Sequence, residues 1–270
     1  MHRREMLRAG AAGVVVAGVA GAATLTGCAT SGGTGKRPIL LVHGAWHGGW
    51  CWQRVTPLLE AAGHKVYAPT LSGLAEKAGQ LTRAINLDTH AQDVLDVIER
   101  NNLREVVLVG HSYAGMVIPL VADRAPQRLH RLVFLDALLL DNGQAFKDLV
   151  PAAAWQQRLK QVQEQGRGVG VPPFPAAAFG ISDKADQDWV QKQLTLHPVG
   201  TYEQPMLLKN PFGNGLPKVY IECTAPQNPG TAGGRAKAKA QGWPYDSIAT
   251  GHDAMVTAPG ALAELLRKYA

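Results

Sequence analysis

The run Val107-Leu108-Val109-Gly110-His111-Ser112-Tyr113-Ala114-Gly115 constrains this chain more than any other. An apolar strand feeds a serine set among small residues, and the helix-like Met116-Val117-Ile118 follows. This is the layout of a nucleophile elbow, a sharp strand-to-helix turn that lifts a serine clear of a sheet. The turn imposes strained backbone angles on the serine and leaves no room for side chains at Gly110 and Ala114. The usual pattern is G-x-S-x-G; here Ala114 takes the last place and Gly115 follows it. A chain built around such a turn needs a mainly parallel sheet with helices on both faces.

The alternation of elements agrees. Ile39–Val42, His64–Ala68, Glu105–Val109, Leu132–Leu135, Lys218–Cys223 and Tyr245–Ile248 read as strands. Trp52–Ala62, stopped by Gly63, Leu87–Asn101 and Ala258–Tyr269 read as helices, from apolar residues at helical spacing. Pro119 predicts a kink in the helix after the serine. The alternation breaks at about 138–217, which holds helical pieces at Ala152–Gln165 and Lys184–Leu194 separated by Pro172-Pro173 and Pro198. Lying between two sheet strands, this stretch reads as an insertion over the carboxyl edge, where open α/β sheets bind ligands, and so as a lid.

The chain's 270 residues, 46% of them hydrophobic and 18% charged, suit one α/β domain at 38–270 with a substantial core. Three arginines against Glu5 give residues 1–27 a net +2, leaving +4 of the formal +6 to the rest. Arg235-Ala-Lys-Ala-Lys239 reads as a solvated helix face rather than a nucleic-acid patch. Residues 1–27 read as a targeting segment. Arg3-Arg4 resembles a twin-arginine export signal, Ala9–Leu25 is apolar, and Leu25-Thr26-Gly27-Cys28 resembles a bacterial lipobox. That order predicts cleavage before Cys28, a lipid on its thiol, a tether over 28–37, and anchoring in the cell envelope or periplasm. The alternative is a plain exported protein with an incidental cysteine. Cys51 and Cys223 read as free, buried thiols. No metal-ligand spacing such as C-x-x-C or H-E-x-x-H occurs in the sequence.

A serine hydroxyl is a weak nucleophile; it needs a base and donors for the developing oxyanion. His252, in Thr250-Gly251-His252-Asp253-Ala254-Met255, stands between the last strand and the last helix, where such a base belongs. The first strand ends in His43-Gly44-Ala45-Trp46-His47-Gly48-Gly49-Trp50. The N–H of Ala45 in this loop and the N–H of Tyr113 are the candidate oxyanion donors.

With these residues in place, the chain resembles the small esterases of the α/β-hydrolase family: plant methyl-ester esterases, hydroxynitrile lyases and their bacterial relatives. The resemblance rests on HGAWHGGWCW, GHSYAG, Leu135-Asp136-Ala137 and TGHDAM, and runs from Pro38 to the end. It implies a helical cap where the insertion falls, and no cofactor. Two positions depart from the plant pattern. The acid there follows the strand equivalent to Lys218–Cys223, but Thr224-Ala225-Pro226-Gln227-Asn228 holds no carboxylate. Asp136, where some lipases of this fold place their acid, is chosen here over Glu222 and Asp253. The lyases carry a lysine after the histidine, a threonine in the first loop and a glutamate before the serine; Asp253, Gly44 and His111 stand there instead. The expectation is a serine carboxylesterase taking small to medium apolar or aromatic esters, with Trp155, Phe174, Phe179 and Trp189 offered by the lid. The rivals are a lyase of the same fold and a lipid-anchored binding protein with a relic site.

Overall fold

A computed structural model describes residues 36–270; the targeting segment and Cys28 lie outside the described residues. Strand β1 (Ile39–Val42) is followed by α1 (Thr56–Ala61), β2 (Val66–Tyr67), α2 (Leu87–Arg100), β3 (Val106–His111), α3 (Ile118–Arg124) and β4 (Leu129–Leu135). The chain then leaves the sheet for α4 (Ala152–Glu164), β5 (Gly170–Val171), α5 (Lys184–Gln193), β6 (His197–Pro198) and α6 (Gly200–Glu203). It returns as β7 (Lys218–Cys223), α7 (Ala232–Ala240), β8 (Tyr245–Ile248), α8 (Ala254–Thr257) and α9 (Pro259–Tyr269). Six strands form a parallel sheet in the order β2-β1-β3-β4-β7-β8, while β5 and β6 make a separate antiparallel ribbon.

Every residue of β1 and β3 is buried. Successive strand residues point to opposite faces, so an unbroken apolar run survives only where both faces are covered. Helix α1 packs on α9, and α2 on α3. Helix α2 starts on a capping box, in which Asn86 accepts from the Thr89 N–H and the Thr89 hydroxyl accepts from the Asn86 N–H.

Register sets the level of the site. His111 pairs with Leu135, and Leu135 with Ile221, so β3 and β4 end side by side. Ser112 and Asp136 are therefore the first residues beyond neighbouring strand ends. The two turns are tied directly, by the Leu138 N–H donating to the Ser112 carbonyl at 2.9 Å. Both turn residues have left-handed backbone, φ 53° at Ser112 and 37° at Asp136. Crowding explains the departure from the usual motif. A Cβ on Gly115 would lie 2.1 Å from the Leu138 carbonyl oxygen, and one on Gly110 would lie 2.9 Å from that of Ala114. Glycine is thus required at Gly110 and Gly115, while the position between accepts alanine.

Three expectations need correction. Pro119 does not bend a helix: Ser112–Gly115 form a separate 3₁₀ turn, and α3 begins afresh at Ile118 with the proline in its first turn. The missing N–H costs nothing there, because first-turn amides have no partner within the helix. Nor is Arg235 part of a solvated face, since it is 8% exposed and turned inward. The helix expected from Trp52 is a 3₁₀ turn, Gly49–Trp52, followed by the shorter α1.

Candidate active site

The loop after β8 brings His252 over the ends of β3 and β4. The Ser112 hydroxyl donates to His252 Nε2 at 2.8 Å, and His252 Nδ1–H donates to Asp136 Oδ2 at 2.6 Å. Asp136 is fully buried. Its second oxygen accepts the Thr231 hydroxyl at 3.0 Å. Arg235 steadies that hydroxyl from one helical turn away, donating to Thr231 Oγ1 at 2.7 Å and to the Asn228 carbonyl at 2.8 Å. Its guanidinium also lies 3.5 Å from Asp136. The loop after β7, which has no acid of its own, thus braces the acid that ends β4. The other two carboxylates considered are committed elsewhere. Glu222 accepts from Tyr245 and Gln227, and Asp253 accepts from His47.

The loop after β1 faces the serine. A Cβ on Gly44 would meet the His111 ring at 2.9 Å and Ser112 Cβ at 3.1 Å, so only glycine lets this backbone come so close. Ala45 and Tyr113, whose N–H groups are the expected oxyanion donors, both border the cavity beside Ser112. Burial drives the His43 imidazole down to about 3, so it is neutral. Its Nδ1–H donates to the Gly44 carbonyl at 2.8 Å, and its Nε2 accepts the Leu71 N–H at 3.1 Å. The Tyr113 hydroxyl lies 2.8 Å from His90 Nδ1.

The cavity has a volume of about 320 Å³. Its walls include Trp46, Leu138, Phe146, Phe174, Phe179 and Tyr202, and among the described residues no lysine or arginine lines it. Of the four lid aromatics expected at the site, Phe174 and Phe179 border it. Trp189 packs edge-on against Trp50 with Arg54 over its ring, and Trp155 is buried in the core. The insertion is fastened to both functional loops. Phe179 O accepts the Asp253 N–H at 3.2 Å, and Gly180 abuts Gly251 so closely that a Cβ on Gly251 would fall 2.4 Å from Gly180 O. Trp46, at φ 66°, donates its indole N–H to Val171 O at 2.9 Å and accepts from Thr195 N–H at 3.1 Å.

Thr231, Arg235 and His47 are the residues that sequence reasoning missed. The spacing of Thr231, at the cap of α7, and Arg235, four residues on, was the available signal; the lysines beside Arg235 masked it.

A serine, histidine and aspartate in one hydrogen-bonded row, at the carboxyl edge of a parallel sheet and under an insertion, define a hydrolase built on the α/β-hydrolase fold. The chain belongs to the alpha/beta hydrolase family, whose pattern it matches over residues 39–265. It is 36% identical to the carbendazim hydrolyzing esterase of Nocardioides sp. (strain SG-4G) over 237 residues, which are 84% of this chain and 97% of that one. It is 31% identical to methylesterase 2 of Arabidopsis thaliana over 192 residues, covering 68% and 71%. The fold is also that of an extracellular α/β-hydrolase from a Paenibacillus species, with a TM-score of 0.75 at 24% identity, covering 86% of this chain and 98% of the other.

Proposed function

We propose that this protein is a serine carboxylesterase working through an acyl-enzyme. The observation that carries the reading is the unbroken row Ser112–His252–Asp136, at 2.8 and 2.6 Å, opening into an apolar cavity. His252 Nε2 accepts the serine proton as Oγ attacks the ester carbonyl, then returns it to the leaving alcohol. Asp136 holds the imidazole in the tautomer that bares Nε2 and stabilises the imidazolium that forms. The N–H groups of Ala45 and Tyr113 receive the oxyanion. Water, deprotonated by His252, then releases the acid. No cofactor enters this scheme.

The walls favour neutral substrates of small to medium size with an apolar or aromatic group. Phe174 and Phe179 offer ring faces, and no lysine or arginine among the described residues lines the cavity to receive a charged acid. The names of the carbendazim hydrolyzing esterase and the plant methylesterase point the same way. The lyase alternative needs a cation after the histidine. Asp253 stands there, its carboxylate bound to His47. The experiment is a fluorophosphonate probe followed by peptide mass mapping, with a panel of methyl and p-nitrophenyl esters. The expected result is one adduct, on Ser112, and faster turnover of neutral aromatic esters than of esters bearing a free carboxylate. An unlabelled serine would leave the relic binding protein as the better reading.

Export and lipid anchoring through Cys28 are proposed from the sequence signals alone. Cys28→Ala should move the protein from the membrane fraction to the soluble fraction of the expressing cells. Unchanged fractionation would sink the anchor.

A further inference from the structure

The loop that carries Ala45 also carries His47, which takes no part in the proton transfers. Its side chain is 2% exposed, and that of its partner Asp253 is 0% exposed. Nδ1 of His47 lies 2.7 Å from the Ala45 carbonyl oxygen and Nε2 lies 3.0 Å from Asp253 Oδ2. A carbonyl and an ionised carboxylate have no proton to give. A neutral imidazole has one N–H, so at one end it would press a bare lone pair against an oxygen lone pair. Only the doubly protonated ring satisfies both contacts. Burial opposes that charge, but the Asp253 carboxylate and the Ala45 carbonyl together hold His47 above the usual histidine range. Burial likewise opposes charge on Asp253, and His47, with smaller help from His111 and His252, keeps the carboxyl low.

The other titratable groups facing the pair do not compete for this role. His111 is kept neutral by burial, and its Nε2–H goes to the His252 carbonyl at 3.0 Å, leaving it 4.0 Å from Asp253. The Cys51 thiol is pushed far up by burial and stays protonated. His252 is the base itself.

The consequence lies in peptide planes. The Gly44 carbonyl and the Ala45 N–H belong to one trans peptide, so they point in opposite directions. His43 grips that carbonyl, which turns the N–H the other way. The Ala45 carbonyl and the Trp46 N–H belong to the next plane, and His47 grips that carbonyl with a charge-assisted bond. Trp46 N–H closes the far side on His197 Nδ1 at 3.4 Å. Both planes flanking Ala45 Cα are therefore fixed. Through Asp253 the second is tied to the residue after His252, across 206 positions of sequence.

From this we infer that His47 and Asp253 form a buried ion pair that holds the Ala45 N–H in register with Ser112 and His252. They are positioning residues for the oxyanion, and the inference rests on the esterase reading above. Two measurements test it. In the ¹⁵N-histidine-labelled protein, one ring should keep both nitrogens protonated at pH 7, above the ordinary histidine range, a signal lost in His47→Phe. Asp253→Asn should return that ring to a single protonated nitrogen at pH 7. In the same two variants, kcat should fall about a hundred-fold, as for a displaced catalytic contact, with KM moving less than about two-fold. Affinity for an aryl trifluoromethyl ketone, which forms a hemiketal oxyanion on the serine, should fall by the same factor as kcat. A general packing role would not make that affinity follow kcat at constant KM. A singly protonated His47 in the wild-type protein at pH 7 overturns the inference, even if no variant folds. So does a folded His47→Phe protein with wild-type kcat and ketone affinity. If the wild-type protein neither binds the ketone nor takes the fluorophosphonate, the esterase reading fails instead, and the nitrogen signals still report the ion pair.

Discussion

Ser112→Ala should leave a folded protein whose ester turnover is lower by about a million-fold in kcat, the scale of losing a triad nucleophile. The substitution is clean for structural reasons. Alanine keeps the Cβ, so the left-handed turn at φ 53° bears the same strain with either residue. The lost hydroxyl has His252 Nε2 as its side-chain partner. That nitrogen borders the cavity, so water can replace the serine and no orphaned polar atom is left in the core. Urea midpoints of the two proteins should therefore differ by no more than about 0.5 kcal/mol in stability. Residual turnover would come from the Ala45 and Tyr113 donors acting on a bound ester attacked by water. A variant retaining a tenth of wild-type turnover would show that another group is the nucleophile.

The strands and the place of His252 were legible in the sequence because each depends on local pattern. Lys218–Cys223 and Tyr245–Ile248 fall where their apolar runs put them, and His252 follows from the order of elements. Asp136 was chosen because it ends the strand after the elbow helix, where some lipases of the resembling fold place their acid. The register that sets Leu135 against His111 brings Asp136 beside the serine turn and could not be read beforehand. What stayed hidden depends on contacts between distant segments. Nothing near His47 announces Asp253, and nothing in Arg235-Ala-Lys-Ala-Lys239 tells the inward arginine from the lysines beside it. The lid aromatics show the same limit. Composition offered four, and packing sends Phe174 and Phe179 to the cavity while Trp155 and Trp189 serve the core and the loop after β1.

Asp136→Asn tests the least usual feature of the proposed site, an acid at the end of β4 and not in the loop after β7. In the wild type both carboxylate oxygens accept, Oδ2 from His252 Nδ1–H and Oδ1 from the Thr231 hydroxyl. An asparagine can satisfy only one of these with its oxygen. If the amide nitrogen faces His252, it forces the ring into the tautomer with its proton on Nε2, which cannot accept from Ser112. If the amide nitrogen faces Thr231, it meets an oxygen already engaged by Arg235, and the imidazolium formed in catalysis loses its counter-charge. Both arrangements disable the base, so kcat should fall by about ten-thousand-fold. KM should stay near wild type, because Asp136 is fully buried and does not border the cavity. The rate of fluorophosphonate labelling should drop with kcat, since it needs the same activated serine. Glu222 cannot take over, being held by Tyr245 and Gln227, and Asp253 cannot without abandoning His47. A loss of only a few-fold would mean that His252 is oriented by something other than this carboxylate, and that the brace of Thr231 and Arg235 serves the fold instead of the base.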